Sequence, residues 1–310
     1  MVELFDWETQ EADVNLSGSS MEPIPDLSNL KYEDGDPHEL VAELYGVDPS
    51  NILFIHGAQE GIFLTLLALR PKEITTPIPV YPPVHIQARI LGIRVRFVEN
   101  PFEADTKVVA MVNPNNPTGE YYDVGELAGD RLVIVDEIFK PFVDDRFEYI
   151  DNSVIIMSTS KYFSVIDRKV GWIIADKKYI DHIRDVRDLV SPPPISDVSL
   201  INYIVPNIDF FRRRNQSIIK RNLDLLTKKR GFFQIIYGKY MPVAVLYRDN
   251  LDDMMFAREL LRRYGVLLTP TSFFLLPGGL RISLGRDSDM DMVRALDALN
   301  KLCSDIGLFE

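Results

Sequence analysis

Short apolar runs of four or five residues recur through the first half of the chain, with few polar positions inside them. Runs of this length that are rich in β-branched residues are typical of strands buried on both faces of a sheet. Helical stretches alternate with these runs up to about residue 175. This alternation favours an α/β fold with a mainly parallel sheet and helices on both of its faces. The runs span residues 52–55, 108–112, 132–135 and 154–157.

The pattern changes after Pro192-Pro193-Pro194, which interrupts the chain and precedes a long helical stretch that reaches about Arg230. The segments that follow alternate between short apolar runs and amphipathic stretches, which predicts a smaller α+β domain. The predicted strands span residues 242–247, 266–268 and 280–284, and the predicted helices span residues 251–264 and 288–303.

The chain therefore divides into three predicted parts. Residues 1–30 are rich in Ser, Pro, Asn and Gly, and we expect them to form an extended arm that packs with the small domain. Residues 31–205 are predicted to form the large domain. Residues 206–310 are predicted to form the small domain, which starts with the long helix between the two domains.

Three of the apolar runs end at polar groups that can do chemistry. The run 108–112 leads to Asn116, the run 132–135 leads to Asp136, and the run 154–157 leads to Lys161. Ligands bind at the carboxyl ends of the strands in an open α/β sheet, so we expect these side chains to share one pocket. Taken singly, each has an ordinary alternative: a lysine after a strand is more often a surface residue, and an aspartate there is often solvated or caps a helix.

Composition and charge narrow the classes of partner. The net charge is −12, which argues against binding to nucleic acid or to an anionic membrane. The one basic stretch, residues 212–230, has apolar residues at helical spacing and is interpreted as the solvated face of a helix. The single cysteine, Cys303, rules out an intrachain disulfide and a zinc site built on several thiolates, and the histidines lack metal-ligand spacing. We therefore expect no metal. A single cysteine also suits a reducing cytoplasm, and since there is no signal-peptide pattern and no apolar run near ~20 residues, we expect a cytoplasmic protein.

Five short motifs occur in order, and together they carry a resemblance. They are Asn116-Pro117-Thr118-Gly119, Asp136-Glu137-Ile138-Phe139, Ser158-Thr159-Ser160-Lys161, Gly171-Trp172 and Arg281-Ile282-Ser283. Each motif alone is weak, but the ordered set resembles the fold-type-I aminotransferases of class I and II, which depend on pyridoxal 5'-phosphate (PLP). The resemblance extends from about residue 15 to the end. It implies a seven-stranded-type, mainly parallel sheet between helices, a smaller α+β domain, and PLP as the cofactor.

The resemblance implies three catalytic residues. Lys161 would hold the cofactor as a Schiff base and then move a proton between the substrate Cα and the cofactor C4'. Asp136 would keep the pyridine nitrogen protonated, so that the ring acts as an electron sink, and Tyr81 would stack on that ring. Asn116 would donate a hydrogen bond to the 3'-oxygen. The family often has a tyrosine three positions after the aspartate, but Phe139 stands there without a hydroxyl group.

The cofactor phosphate needs donors at the start of a helix. Gly57 lies between a predicted strand and a predicted helix, and the resemblance implies that the amides of Ala58 and Gln59 bind the phosphate there. A glycine turn at such a junction is otherwise ordinary. The hydroxyl groups of Ser158 and Ser160 are expected to add donors.

Two further phosphate contacts are implied with departures from the family pattern. The family usually has an arginine eight positions after the Schiff-base lysine, where this chain has Lys169, with Arg168 beside it as the second choice. A lysine supplies charge but not the bidentate geometry of a guanidinium group. Asp167 stands where the family usually has glycine. Tyr32 matches a tyrosine that reaches the phosphate of the neighbouring subunit, which implies a homodimer.

The substrate is less well specified than the cofactor. The resemblance assigns the α-carboxylate of the substrate to a bidentate pair with Arg281, next to Asn116. The Leu280–Gly285 segment looks most like the histidinol-phosphate aminotransferase branch. That branch usually has a second arginine about a dozen residues earlier, where this chain has Thr269. Aromatic, acidic and aliphatic amino acids therefore all stay open, with a 2-oxo acid as the second substrate.

Three functional hypotheses follow. The first is an aminotransferase that moves an amino group from an L-amino acid to a 2-oxo acid by a ping-pong mechanism. The second keeps PLP but changes the reaction to that of an amino-acid decarboxylase or lyase, similar to threonine-phosphate decarboxylase. The third is a binding protein of the same fold that has lost catalysis, against which stands the presence of Lys161, Asp136, Asn116 and Arg281.

Overall fold

The computed structural model describes residues 3–24, 26–190 and 197–308. The helices in these ranges are α1 (Glu3–Glu8), α2 (Pro37–Tyr45), α3 (Ala58–Leu69), α4 (Pro82–Ile90), α5 (Val124–Ala128), α6 (Lys140–Val143), α7 (Lys177–Val190), α8 (Ile201–Ile204), α9 (Ile208–Lys229), α10 (Asp253–Tyr264) and α11 (Asp289–Asp305). None of these helices is both long enough and apolar enough to cross a membrane. The strands in the same ranges are β1 (Val14–Asn15), β2 (Ile52–Ile55), β3 (Glu73–Pro77), β4 (Arg94–Val98), β5 (Val108–Val112), β6 (Leu132–Asp136), β7 (Ser153–Ser158), β8 (Gly171–Ala175), β9 (Gln234–Ile236), β10 (Val243–Tyr247), β11 (Val266–Leu267), β12 (Thr269–Pro270) and β13 (Gly279–Ser283).

Within the described residues, seven strands form a central sheet in the order β2-β8-β7-β6-β5-β3-β4. The pairs from β7 across to β4 are parallel, whereas β8 runs antiparallel to both β7 and β2. Every residue of β2, β7 and β8 is buried, because these strands have apolar neighbours on both faces. The predicted α/β fold with a mainly parallel sheet is confirmed.

The register of the parallel strands brings their carboxyl ends to one edge of the sheet. Val112 at the end of β5 pairs with Asp136 at the end of β6, and Asp136 pairs with Ile156 of β7. The loops that follow β5, β6 and β7 therefore start side by side, which is the arrangement that the three polar run ends predicted.

A second sheet of antiparallel strands follows the long helix α9, and the N-terminal arm packs against this part of the chain. The strand order of this second sheet is β12-β13-β10-β9 in the described residues. Strand β1 of the arm pairs in parallel with β11, with Val14 beside Val266. The backbone N–H of Ser283 in β13 donates to the carbonyl of Leu16 at 2.8 Å. The arm is thus held by backbone hydrogen bonds to strands near the carboxyl end of the chain.

Three predicted elements differ from those observed. The arm was predicted to be extended, but it begins with helix α1, in which the i, i+3 pair Leu4 and Trp7 is buried. The predicted strand 266–268 is wrong in its extent: β11 ends at Leu267, and after Leu268 a separate strand, β12, pairs in a different sheet. Of the predicted long helix, residues 191–196 lie outside the described residues, and α9 starts only at Ile208.

Gly171 at the start of β8 connects the sheet to the loop after β2. A Cβ atom at this position would lie 2.6 Å from the carbonyl oxygen of Met157 and 2.9 Å from Cα of Gly57. Both are backbone atoms, so neither can move aside as a flexible side chain does. The absence of a side chain at Gly171 is therefore what lets the Gly57 loop lie directly against β7 and β8.

We predict that Gly171→Ala lowers the free energy of unfolding by about 1–3 kcal/mol, because the added methyl group forces the backbone of the Gly57 loop away from the sheet. Chemical denaturation monitored by circular dichroism measures the change. Gly18→Ala is the matched control, since a Cβ atom there meets no atom within 4 Å. Equal stability of the two variants would contradict this account of Gly171.

Candidate functional site

A cavity of about 230 Å³ opens at the carboxyl ends of β5, β6 and β7. Val112, Asp136 and Ser158, the last residues of these strands, line its floor together with residues from the arm and from β13. Ten residues that the sequence singled out line this one cavity: Ala58, Gln59, Tyr81, Asn116, Asp136, Ser158, Ser160, Lys161, Lys169 and Arg281.

Asp136 provides a buried carboxyl group on the cavity floor. Its side chain is 3% exposed, and its Oδ1 accepts a hydrogen bond from the backbone N–H of Ile138 at 3.0 Å. Burial raises the pKa of Asp136 to about 7, although this hydrogen bond and the charge of Lys161 act in the opposite direction. A buried carboxyl group of this kind is stabilised in its charged form by a cation or an N–H donor, which a ligand in the cavity can bring.

Lys161 provides a half-buried amine in the same cavity. Its Nζ donates a hydrogen bond to Oγ of Ser20 at 3.2 Å. Burial lowers the pKa of Lys161 to about 8, while Glu8 raises it and Arg281 lowers it further. A larger fraction of this amine is therefore neutral near neutral pH than for an exposed lysine, which suits a nucleophile or a base.

The start of α3 forms a cradle for an anion. Gly57 precedes this helix with φ 96°, in the region that favours glycine, and no side chain in the described residues caps the first N–H groups. A Cβ atom at Gly57 would lie 3.7 Å from Oγ of Ser158 and 3.8 Å from Cβ of Lys169, so these residues adjoin the helix start. The Oγ atoms of Ser158 and Ser160 are 3.3 Å apart. Backbone N–H groups, two hydroxyl groups and one cation thus face the same end of the cavity.

Tyr81 and Gln59 form one wall together. The Nε2 of Gln59 donates a hydrogen bond to the hydroxyl oxygen of Tyr81 at 2.9 Å. Burial raises the pKa of Tyr81 well above its ordinary value, so the hydroxyl group stays protonated and neutral. Phe139 lies on the cavity wall as well and is fully buried without a polar group.

Two of the sequence-predicted residues do not reach the cavity within this chain. Arg168 is exposed and is not part of the lining, whereas its neighbour Lys169 is. Tyr32 is 47% exposed and stacks at a tilt against Tyr203, with 4.9 Å between the ring centroids. The cross-subunit contact predicted for Tyr32 stays a prediction.

Arg281 is the most deeply buried charge at the cavity. It lies on β13, which is an inner strand between β12 and β10, and it is 1% exposed. Its Nη1 donates to Oδ1 of Asn116 at 3.0 Å, and its Nη2 donates to the carbonyl oxygen of Ser17 at 2.5 Å and to Oε1 of Glu8. Its guanidinium carbon also lies 4.9 Å from the centre of the Phe274 ring.

Sequence reasoning missed the contribution of the N-terminal arm to the cavity. Phe5, Glu8, Ser19 and Ser20 line it, and none of them belongs to a motif or follows a predicted strand. The helical spacing of Leu4 and Trp7 is the one local signal that could have indicated α1, but it says nothing about what α1 covers. The arm therefore lines the site because it packs against β11 and β13.

Thr269, at the position where the histidinol-phosphate aminotransferase branch usually has its second arginine, is fully buried. Its hydroxyl group donates to the carbonyl oxygen of Ser17 at 2.8 Å, the same oxygen that accepts from Arg281. Thr269 is not part of the cavity lining in the described residues. This hydrogen bond joins β12 to Ser17 of the arm.

Comparison with known proteins supports the same family that the sequence motifs resemble. The family model described as aminotransferase class I and II matches residues 31–299. The chain is 26% identical to the histidinol-phosphate aminotransferase of Pyrococcus furiosus, over 90% of this chain and 85% of that protein. It is 25% identical to the histidinol-phosphate aminotransferase of Caldicellulosiruptor saccharolyticus, over 91% of this chain and 87% of that protein.

Solved structures share the fold. The structure is similar to that of a PLP-dependent aminotransferase from Streptococcus suis, with a TM-score of 0.83 and 21% identity over 97% of both chains. It is also similar to the aspartate aminotransferase from Thermotoga maritima, with a TM-score of 0.78 and 21% identity over 98% of this chain and 95% of that one. At these identities the likeness establishes the fold alone.

We predict that, in the protein without ligand, the reaction of Lys161 with an amine-acylating reagent has its midpoint near pH 8, because burial lowers its pKa. Competitive labelling at a series of pH values, read by mass spectrometry, measures the profile. The exposed Lys178 is the internal control: its hydrogen bond to Asp176 raises its pKa, so its reaction begins only at higher pH. Coincident profiles for the two lysines would contradict the assignment of a perturbed amine to Lys161.

Proposed function

The chain belongs to the family of class I and II aminotransferases and uses PLP as its cofactor, and from this premise we propose that the cavity at β5, β6 and β7 is the active site. In this proposal the enzyme moves an amino group from an L-amino acid to a 2-oxo acid in ping-pong order, so the first oxo acid leaves before the second binds. The observation that supports it most is the convergence of a half-buried amine, a buried carboxyl group and an anion cradle on one cavity.

The residues of the cavity fit PLP. The buried carboxyl group of Asp136 has a raised pKa and is matched by a protonated ring nitrogen. The uncapped start of α3, together with Ser158, Ser160 and Lys169, suits a dianionic phosphate group. When bound, PLP supplies an aldehyde that combines with amines and a ring that withdraws electrons.

The two ionisable groups of the cavity have complementary roles. Lys161 would hold the cofactor through Nζ, and the same nitrogen, once free, would serve as the base at the substrate Cα. The lowered pKa of Lys161 favours the neutral amine that both roles need. Asp136 as a carboxylate would stabilise a proton on the ring nitrogen. Tyr81 would pack against the ring and exclude water from it.

The remaining cofactor contacts follow from which groups line the cavity. Lys169, and not Arg168, supplies the charge at the phosphate, because only Lys169 belongs to the lining. The carbonyl oxygen of Asn116 accepts from Arg281, which leaves its amide N–H₂ as the donor for the 3'-oxygen. Phe139 has no hydroxyl group that could donate a hydrogen bond to the 3'-oxygen, so Asn116 is the donor in this proposal.

Arg281 binds the α-carboxylate of the substrate, with Asn116 beside it. Its burial and its position at the cavity support this role, because a guanidinium group in a water-poor site binds a carboxylate strongly and with fixed geometry. Fixing the carboxylate orients the Cα–H bond toward Lys161. We further propose a homodimer in which the exposed Tyr32 reaches the phosphate site of the neighbouring subunit.

We propose that the amino donor carries no phosphate group. Among the described residues of the lining, the Lys and Arg side chains are Lys161, Lys169 and Arg281, and each has a role in the proposal already. Thr269 offers no charge at the position where the similar histidinol-phosphate aminotransferases usually have a second arginine. A second phosphate group would thus find no further lysine or arginine in this lining. Phe5 and Ile166 at the cavity favour an apolar side chain instead.

We predict that adding an apolar L-amino acid to the PLP-loaded protein converts the near-visible absorption band to that of the pyridoxamine form and releases the matching oxo acid. Absorption spectra across a panel of amino acids, with oxo-acid detection, measure this. Release of CO₂ in place of an oxo acid would favour the decarboxylase alternative. Conversion by histidinol phosphate alone would contradict the proposed donor class.

We predict that Lys161→Ala loses covalent attachment of PLP and lowers kcat by at least about 100-fold, because both the attachment and the base are removed. Borohydride reduction followed by mass spectrometry of the labelled peptide measures the attachment. Lys177→Ala, which removes an exposed lysine, is the matched control. Full activity of the Lys161→Ala protein would remove the core of the proposal.

We predict that Arg281→Ala raises KM for the amino donor roughly 10–100-fold and changes kcat less, because a charged hydrogen-bonded pair with the substrate is lost. Arg281→Lys keeps the charge without the bidentate geometry and should give an intermediate KM. Steady-state kinetics measure both, after circular dichroism has shown that each variant is folded. An unchanged KM in Arg281→Ala would reject Arg281 as the carboxylate anchor.

A further inference from the structure

Arg281 already has a carboxylate partner that belongs to the chain itself. Nη2 donates to Oε1 of Glu8, the last residue of α1, and Glu8 lines the cavity. The other hydrogen bonds of this guanidinium group go to neutral oxygen atoms of Asn116 and Ser17. Glu8 therefore stands where the proposed function puts the α-carboxylate of the substrate.

We propose that Glu8 is a specificity-determining residue that competes with ligand carboxylates for Arg281 and leaves the guanidinium group when such a ligand binds. The ligand class is any carboxylate, whether on the amino donor or on the oxo acid. The inference rests on the proposed function, because it takes Arg281 as the anchor for the substrate carboxylate.

Glu8 and a substrate carboxylate exclude each other at Arg281. A bidentate pair needs two N–H groups on one side of the guanidinium group, and Asn116 takes an N–H of Nη1 while Glu8 and Ser17 take those of Nη2. Two carboxylates at one buried site also repel each other strongly. Nε–H has no partner in the described residues, but a bidentate pair through it, or through the second N–H of Nη1, also needs an N–H of Nη2. A ligand that binds in this way must therefore replace Glu8 at Nη2, and its net affinity is reduced by the strength of the Glu8 contact.

Glu8 can leave without unpacking the arm. Its side chain is 25% exposed, so solvent is within reach. The helix is held independently by Trp7, whose indole N–H donates to the carbonyl oxygen of Leu268 at 2.8 Å and whose ring lies 6.2 Å from that of Phe273. The buried Leu4 adds a second anchor. Rotation of one side chain at the end of α1 is enough, so Glu8 is not needed to keep α1 in place.

Removal of the Glu8 charge has a characteristic signature. Without it the buried guanidinium group lacks a carboxylate partner, and a ligand carboxylate that supplies one binds more tightly. A residue that merely holds the arm would have the opposite signature, because its loss would loosen the cavity wall and weaken every ligand. The sign of the change in affinity thus separates the two roles.

The test uses the PLP-loaded protein and propionate, a carboxylate that has no amino group to react. Isothermal titration calorimetry compares wild type with Glu8→Gln, which keeps the shape and removes the charge. We expect Glu8→Gln to bind propionate roughly 10-fold more tightly, and propionamide, which lacks the charge, to show no such gain. Glu3→Gln, which removes an exposed carboxylate from the same helix, is the matched control and should bind as wild type does.

Two further measurements accompany the titration. Propionate should raise the melting temperature of Glu8→Gln more than that of wild type, because tighter binding stabilises the folded state more. In steady-state kinetics, KM for both the amino donor and the oxo acid should fall in Glu8→Gln while kcat stays within about twofold. A rise in KM together with a fall in kcat would overturn the inference.

Arg281→Ala distinguishes failure of this inference from failure of the proposed anchor. If Arg281→Ala loses propionate binding but Glu8→Gln binds no more tightly than wild type, the anchor stands and the role of Glu8 is overturned. If Arg281→Ala binds propionate as wild type does, both the anchor and the role of Glu8 are overturned. Tighter binding in Glu8→Gln that disappears in the double variant with Arg281→Ala supports both.

Discussion

The buried guanidinium group of Arg281 is the interaction on which the organisation of the cavity depends. A charge with 1% exposure is tolerated only when several groups compensate it, and here those groups come from distant parts of the chain. Asn116 follows the central strand β5, whereas Ser17 and Glu8 belong to the arm. These three contacts therefore hold the arm over the cavity and tie β13 to the loop after β5.

Burial acts in opposite directions on the two other ionisable groups of the cavity. It raises the pKa of Asp136 to about 7 and lowers that of Lys161 to about 8, because a water-poor site disfavours both charged forms. Each group is thereby prepared for a partner from a ligand: the carboxyl group for a protonated nitrogen, and the amine for a carbonyl carbon. Exclusion of water stabilises the apolar sheet, and it also shifts the pKa values of the two groups at the carboxyl ends of its strands.

The sequence predicted the central part of the fold well because its signals are local. The run 108–112 coincides with β5, and the runs 132–135 and 154–157 lie inside β6 and β7, since fully buried strands must be continuously apolar. The residues that follow these strands could be grouped in advance, because parallel strands end at the same edge. Prediction was weaker where the pairing of strands decides where each strand begins and ends. Residues 266–270 are divided between two sheets at Leu268, and no local pattern in the sequence indicates this division.

The sequence by itself determined the class of the fold, the strands of the central sheet and the polar residues at their ends, because burial dictates the apolar pattern and strand direction dictates where the ends meet. Only the tertiary structure decided that Arg281 is fully buried and that the arm completes the cavity. The contact between Glu8 and Arg281 joins residues 273 positions apart. Such a contact arises from the packing of α1, β11 and β13, and neither residue carries a periodic pattern from which its partner could be read.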